Sequence, residues 1–113
     1  MKLAIVGSRS FDDYEMVKEA LRDLSITEIV SGGAKGADTL AEQFAKENNL
    51  PVKIFKPDWA KYGRGAGPVR NKQIVEYADK VIAFWDGESK GTKSSIDLAE
   101  KSGKLLTVKR FLP

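Results

Sequence analysis

The chain of 113 residues contains no cysteine and no histidine. The first absence excludes disulfides and thiolate metal sites. The second removes a histidine base and zinc–imidazole chemistry, so any catalysis falls to Asp, Glu, Lys, Arg, Tyr or Ser. No metal site and no cofactor are expected. No apolar run is long enough to cross a bilayer, and no membrane partner is expected. The N-terminal apolar run, Leu3 to Val6, ends at Gly7, far short of a signal peptide, so the expected compartment is the cytoplasm. A strong charge excess is missing too: 19 Lys plus Arg face 16 Asp plus Glu, a net charge of +3, scattered with no polybasic tract. Such a balance is compatible with phosphate ligands without calling for nucleic acid. The length suits one compact domain, residues 1–113.

What is present is an alternation of short apolar runs and helical patterns. Met1 to Gly7 reads as a buried first strand, because a continuous apolar run suits a sheet covered on both faces. Asp12 or Asp13 is placed to cap a helix whose stripe is Val17, Ala20, Leu21 and Leu24. Thr27 to Val30 gives a second strand, followed by a helix from about Ala37 to Asn48 with Asn48-Asn49 as its stop. Val52, Ile54 and Phe55 mark a third strand, and Pro57 to Gly67 reads as the longest loop. Pro68 is expected to open the third helix, Lys80 to Trp85 to form a fourth strand, and a fourth helix to begin near Thr92 and close at Gly103. Leu105 to Val108 completes the sheet. The predicted fold class is α/β: a small Rossmann-like, three-layer domain with a five-stranded, mainly parallel sheet.

The organising stretch is Ser31-Gly32-Gly33-Ala34-Lys35-Gly36-Ala37-Asp38, set between the second strand and its helix. Gly32, Gly33 and Gly36 allow positive φ and close approach of a ligand to backbone. The helix that follows has free N–H groups and the positive end of its dipole, which together suit phosphate or another anion. Three other strand ends carry polar groups to the same edge. Gly7, Ser8 and Arg9 follow the first strand, and Arg70-Asn71 close the loop after the third. Asp86, Gly91 and Thr92 follow the fourth. Two arginines at one mouth suit bidentate contacts to phosphate, and Trp59 or Tyr62 could stack on a base or plug the domain edge. The dinucleotide fingerprint fails, since only Gly7 follows the first strand, and no Gly-Lys-Ser/Thr ends a glycine loop.

In order and spacing, Gly7-Ser8-Arg9, Ser31 to Asp38, Gly67 to Asn71 and Asp86 to Thr92 resemble the YspA/YpsA-related branch of the SLOG superfamily. That superfamily takes its name from the DNA-processing protein Smf/DprA and the "lonely guy" (LOG) phosphoribohydrolases. The resemblance implies nucleotide-type binding at these loops, as sensor or sink, in a domain common in bacteria and phages. Phosphate would sit on the Gly32–Gly36 turn and the helix near Thr92, clamped by Arg9 and Arg70. Ser8 and Asp38 would hold a ribose or second phosphate, and the base would lie by Trp59. Against the LOG motif Arg70 matches the arginine and Gly91-Thr92 the Gly-Thr, but the glutamate falls on Ser95. That leaves Asp38, Asp86 and Arg70 as the catalytic candidates for the alternative of N-glycoside hydrolysis. A third alternative is DprA-like binding of single-stranded DNA. The scattered charge argues against it, so nucleic acid is disfavoured as a partner and a nucleotide-type small molecule preferred. SLOG-type domains often pair, which implies a homodimer or higher homo-oligomer.

Overall fold

The computed structural model describes residues 1–112. Five strands form one sheet: β1 (Lys2–Gly7), β2 (Glu28–Ser31), β3 (Val52–Ile54), β4 (Lys80–Trp85) and β5 (Leu105–Arg110). Their order is β3-β2-β1-β4-β5 and every pairing is parallel. Parallel neighbours need crossovers, and four helices of at least eight residues supply them: α1 (Tyr14–Leu21), α2 (Ala37–Glu47), α4 (Ala66–Tyr77) and α5 (Lys90–Lys101).

Alternation along β1 assigns the helices to faces. Leu3 and Ile5 point to one side and pack with Val17 and Leu21 of α1 and Ala41 and Phe44 of α2. Ala4 and Val6 point to the other and pack with Ile74 and Val75 of α4 and Ile96 and Ala99 of α5. Both faces are therefore covered, which is why β1 and β4 read as unbroken apolar runs. Phe11 closes the first face, stacked on Phe84 with ring centroids 4.7 Å apart. Ala4, Ala78, Ala83 and Ala99 on the second face let the two helices approach the sheet closely.

The chain moves outward from β1 through β2 to β3, then crosses back to β4 on the other side of β1. The order reverses between β1 and β4. There the connections leave in opposite directions and a crevice opens at the carboxyl ends. The register aligns Gly7 with Phe84, and the amide of Ser8 donates to the Phe84 carbonyl at 3.0 Å as the last bond before the strands part.

Several element boundaries differ from the sequence expectation. The stretch from Pro57 to Gly67 is not a plain loop: it holds a short helix, α3 (Trp59–Tyr62), and a 3-10 turn, Gly63–Gly65. The Asp58 carboxylate caps α3 by accepting the Lys61 amide at 3.1 Å, a one-turn motif too short to show a periodic pattern. α4 starts at Ala66, two residues before Pro68. Pro68 still lies in the first turn, where the N–H it lacks would have no helical partner. α5 starts at Lys90 and not near Thr92. β2 runs one residue later than expected and β5 two residues further, to Arg110.

Gly7 marks how tight the crevice is. A Cβ there would stand 2.5 Å from the Phe84 carbonyl oxygen and 2.6 Å from the Ala37 Cβ, whereas one at Gly91 would meet nothing within 4 Å. Gly7→Ala should therefore lose about 1–3 kcal/mol, a fall in thermal midpoint on the order of ten degrees. Gly91→Ala should leave the midpoint unchanged or raise it. Equal midpoints for the two variants, by calorimetry, would show that the β1–β4–α2 junction is not close-packed.

Candidate functional site

The crevice is built from what each strand delivers as it ends. After β1, the Ser8 hydroxyl accepts the Asp86 amide at 3.2 Å, tying the turn after β4 to the end of β1. Asp86 shapes that turn itself: Oδ1 accepts the amides of Glu88 and Ser89 at 2.8 Å each, and Oδ2 accepts the Ser89 hydroxyl at 2.8 Å. The Ser89 and Glu88 amides, Ser89's first, hold the Asp86 carboxyl down at about 2. Ser89 is the residue before α5, and its hydroxyl is spent on Asp86, so α5 starts without a side-chain cap. Its first-turn amides face the crevice, flanked by the buried Thr92 and Ser95.

After β2 the glycine turn folds onto its own side chains. The Gly33 amide donates to Ser31 Oγ at 3.2 Å and the Ala34 amide to Asp38 Oδ2 at 3.0 Å. Arg70, reaching over from α4, donates from Nη1 to the Gly32 carbonyl at 2.9 Å and from Nε to Asn71 Oδ1 at 3.0 Å. Asn71 Nδ2 points on to the Gly91 carbonyl at 3.5 Å. The ends of the Arg70 and Asp38 side chains occupy the space beside Gly32: a Cβ there would lie 2.6 Å from Arg70 Nη1 and 2.9 Å from Asp38 Oδ2. Gly36, at φ +79, packs against the main chain of Ser8 and Arg9.

Burial acts on both charged partners. Asp38 is 8% exposed, and burial raises its pKa against the lowering pull of the Ala34 amide and Arg70. Burial likewise lowers the pKa of Arg70, with Asp38 opposing and Arg9 adding repulsion.

Two cavities open here. The inner one, ≈ 450 Å³, lies in the β1–β4 crevice, between Ser8, Arg9, Asp38, Arg70 and the start of α5. The outer one, ≈ 670 Å³, lies over the glycine turn and is walled by Lys56, Trp59, Gly67 and Lys90. Arg9, Arg70, Asn71 and Gly91 line both, so the two form one continuous cleft. Four cations, Arg9, Lys56, Arg70 and Lys90, line the outer cavity, and no carboxylate does.

Comparison with known proteins places the chain. Residues 1–62 match the model of the YspA, cpYpsA-related SLOG family. A relative, the Gene 61 protein of Mycobacterium phage D29, is 34% identical over 90% of this chain and 90% of its own. The chain belongs to the YspA, cpYpsA-related SLOG family. Among solved structures it is similar to DNA processing protein A from Helicobacter pylori, described for its single-stranded DNA binding mode. That likeness has a TM-score of 0.69 at 26% identity and covers 99% of this chain. The chain spans 66% of the length of that protein's chain.

The comparison corrects one expectation. Nucleic acid cannot be set aside as a partner of this SLOG chain when a structure it resembles over 99% of its length is that of a single-stranded DNA binding protein. The argument from scattered charge fails for a physical reason: a net charge sums over the surface, while the fold gathers four cations into one cleft.

Of the residues singled out from sequence, Gly7, Ser8, Asp38 and Thr92 line the inner cavity, and Gly32, Gly33 and Trp59 the outer. Ser31, Gly36 and Asp86 line neither; they hold the turns that do. Lys56 and Lys90 are the additions. Both follow strand ends, β3 and β4, so the rule that gathered the other residues would have reached them. Among the described residues no cluster of carboxylates could hold a metal ion, and no helix is long and apolar enough to cross a membrane.

The raised pKa of Asp38 has a measurable sign. The folded state holds this proton more tightly than the unfolded chain, so the contribution to stability is full at low pH and is lost as pH rises through the folded value. The unfolding free energy of the wild type minus that of Asp38→Asn should therefore fall as pH rises above the ordinary aspartate range. A constant difference, measured by urea titration over that rise, would mean that burial does not govern this carboxyl.

Proposed function

We propose that the cleft binds single-stranded nucleic acid through its phosphates. The observation that carries the reading is the lining of the outer cavity, four cations with no carboxylate among them. One phosphate sits between Arg9, Arg70 and the uncapped amino end of α5, where free amides and the helix dipole favour an anion. The strand continues outward past Lys56 and Lys90. Guanidinium groups suit the inner position, because their planar forks match phosphate oxygens, while the lysines serve as mobile point charges at the rim. The 26% identity to a DNA processing protein described for single-stranded DNA binding supports this reading.

A second reading keeps the same anion site but takes a free nucleotide. It is favoured by the inner cavity, whose ≈ 450 Å³ falls within the usual range for small-ligand sites. Ser8, Asn71 and Thr92 would supply hydroxyl and amide groups to a ribose or phosphate. Ser95 stands on the wall of that cavity, and a hydroxyl does not activate water as a carboxylate does. Hydrolysis of an N-glycosidic bond accordingly draws no support from it.

Salt titration separates the readings. Neutralising about four phosphates on a single strand gives a slope of log affinity against log salt of roughly −3. Lys56→Ala combined with Lys90→Ala removes two exposed side chains and should flatten the slope by about 1.4. Fluorescence anisotropy with labelled oligothymidylate between about 50 and about 300 mM salt checks it. Absence of strand binding at the lowest salt would end the nucleic-acid reading, and saturable binding of a mononucleotide alone would favour the second.

A further inference from the structure

The outer cavity has a feature that phosphate binding does not use. Trp59 is 58% exposed, an unusual position for an indole, yet its backbone is fixed in α3 by the Asp58 cap. Its ring is backed by α4: the Cη2 atom lies 3.9 Å from where a Cβ on Gly67 would stand. That is an ordinary van der Waals distance, so the edge of the indole rests against the start of the helix. The exposed ring lines the same outer cavity as the four cations. Cations and an exposed aromatic in one cavity fit a nucleotide, with phosphate to the first and base to the second.

Two adjoining cavities then bear on how much of a strand is held. The inner cavity has the polar lining for one nucleotide, and the outer has the room, ≈ 670 Å³, for its neighbour. Arg9 and Arg70 line both, where the phosphate linking two units would pass. We infer that Trp59 is the base-stacking platform of a second subsite, and that the ligand unit is at least two linked nucleotides. This rests on the phosphate-binding reading and deepens it: the arginines hold any nucleotide phosphate, and Trp59 favours a strand over a free nucleotide. Because every base has a π face, the preference is for length and not for sequence.

The test is a competition series against labelled oligothymidylate, using thymidine 5′-monophosphate, pTpT and pTpTpT on the intact chain. The wild type should gain on the order of tenfold or more in affinity from the monophosphate to pTpT. Trp59→Ala should lose most of that gain. Trp59→Phe should keep most of it, and Trp59→Leu, which retains apolar bulk without a π face, should behave as alanine does. Thermal midpoints of all three variants identify any loss of fold, and the leucine and phenylalanine variants carry the comparison if alanine disturbs α3. If Trp59→Ala tracks the wild type at every length, or pTpT binds no better than the monophosphate, the second subsite is overturned while phosphate binding stands. If the wild type binds no oligonucleotide at all, both readings fall together.

Discussion

A half-buried guanidinium holds the two sides of the cleft together. Arg70 leaves α4, crosses to the turn after β2 and binds the Gly32 carbonyl, while its Nε holds Asn71, which reaches toward α5. Three connections that share no local sequence are thereby fixed relative to one another. Withdrawing a charge from water is costly unless its hydrogen bonds are met and a counter-charge is near. Here a carbonyl and an amide oxygen supply the bonds and Asp38 the charge. A guanidinium has five N–H groups, so these bonds leave donors for an anion. One side chain can therefore serve both the architecture and the proposed anion, and for that reason an exposed lysine such as Lys56 is the cleaner probe of binding.

The same arrangement explains how an almost neutral chain can present a cationic cleft. Long-range attraction depends on where charges lie and on the low-dielectric walls beside them. Arg9 follows β1, Lys56 and Arg70 both lie in the connection from β3 to β4, and Lys90 follows β4; only the order β3-β2-β1-β4-β5 brings these three connections to one edge. The surface ion pairs, such as Lys18–Glu15 and Lys93–Asp97, neutralise lysines elsewhere on the helices. Such exposed pairs add little stability. Their effect on the field is nonetheless to leave the outer cavity, whose lining carries no carboxylate, as the place where positive charge gathers.

The alternation of strands and helices was legible because periodicity is a local property, and so was the gathering of polar residues at strand ends, a consequence of parallel topology. Asp13 as a helix cap and Asn49 as a stop were legible for the same reason: Asp13 accepts the Met16 amide and Asn49 adopts φ 54. Part of what was not legible depended on partners far apart in sequence. Gly32 reads as a place for a ligand until Arg70, 38 residues away, is seen to fill it. Asp86 reads as a carboxylate free for chemistry, yet three groups of Glu88 and Ser89 occupy its oxygens. The α3 helix escaped because a single turn offers no period, only a cap. A grouping of scattered cations requires the strand order, which composition does not contain.

Two of the helices whose amino ends reach this edge, α2 and α5, are not equivalent. At α2 the Ala37 amide points to the Ser8 carbonyl, and the Asp38 carboxylate takes the Ala34 amide. Main chain and side chain of the protein itself thus occupy the place where an anion would approach. At α5 the residue that would cap the helix gives its hydroxyl to Asp86, and glycine follows at the second position with open space beside it. Free donors, a dipole and no side chain in the way make α5 the end at which an external anion meets least competition. The glycine-rich turn that dominates the sequence is then the scaffold that seats Asp38 and Arg70, and the shorter, less conspicuous turn after β4 leads into the helix end without a side-chain cap. Conformational freedom in a glycine run says only that something comes close to the backbone, and here that something is the chain itself.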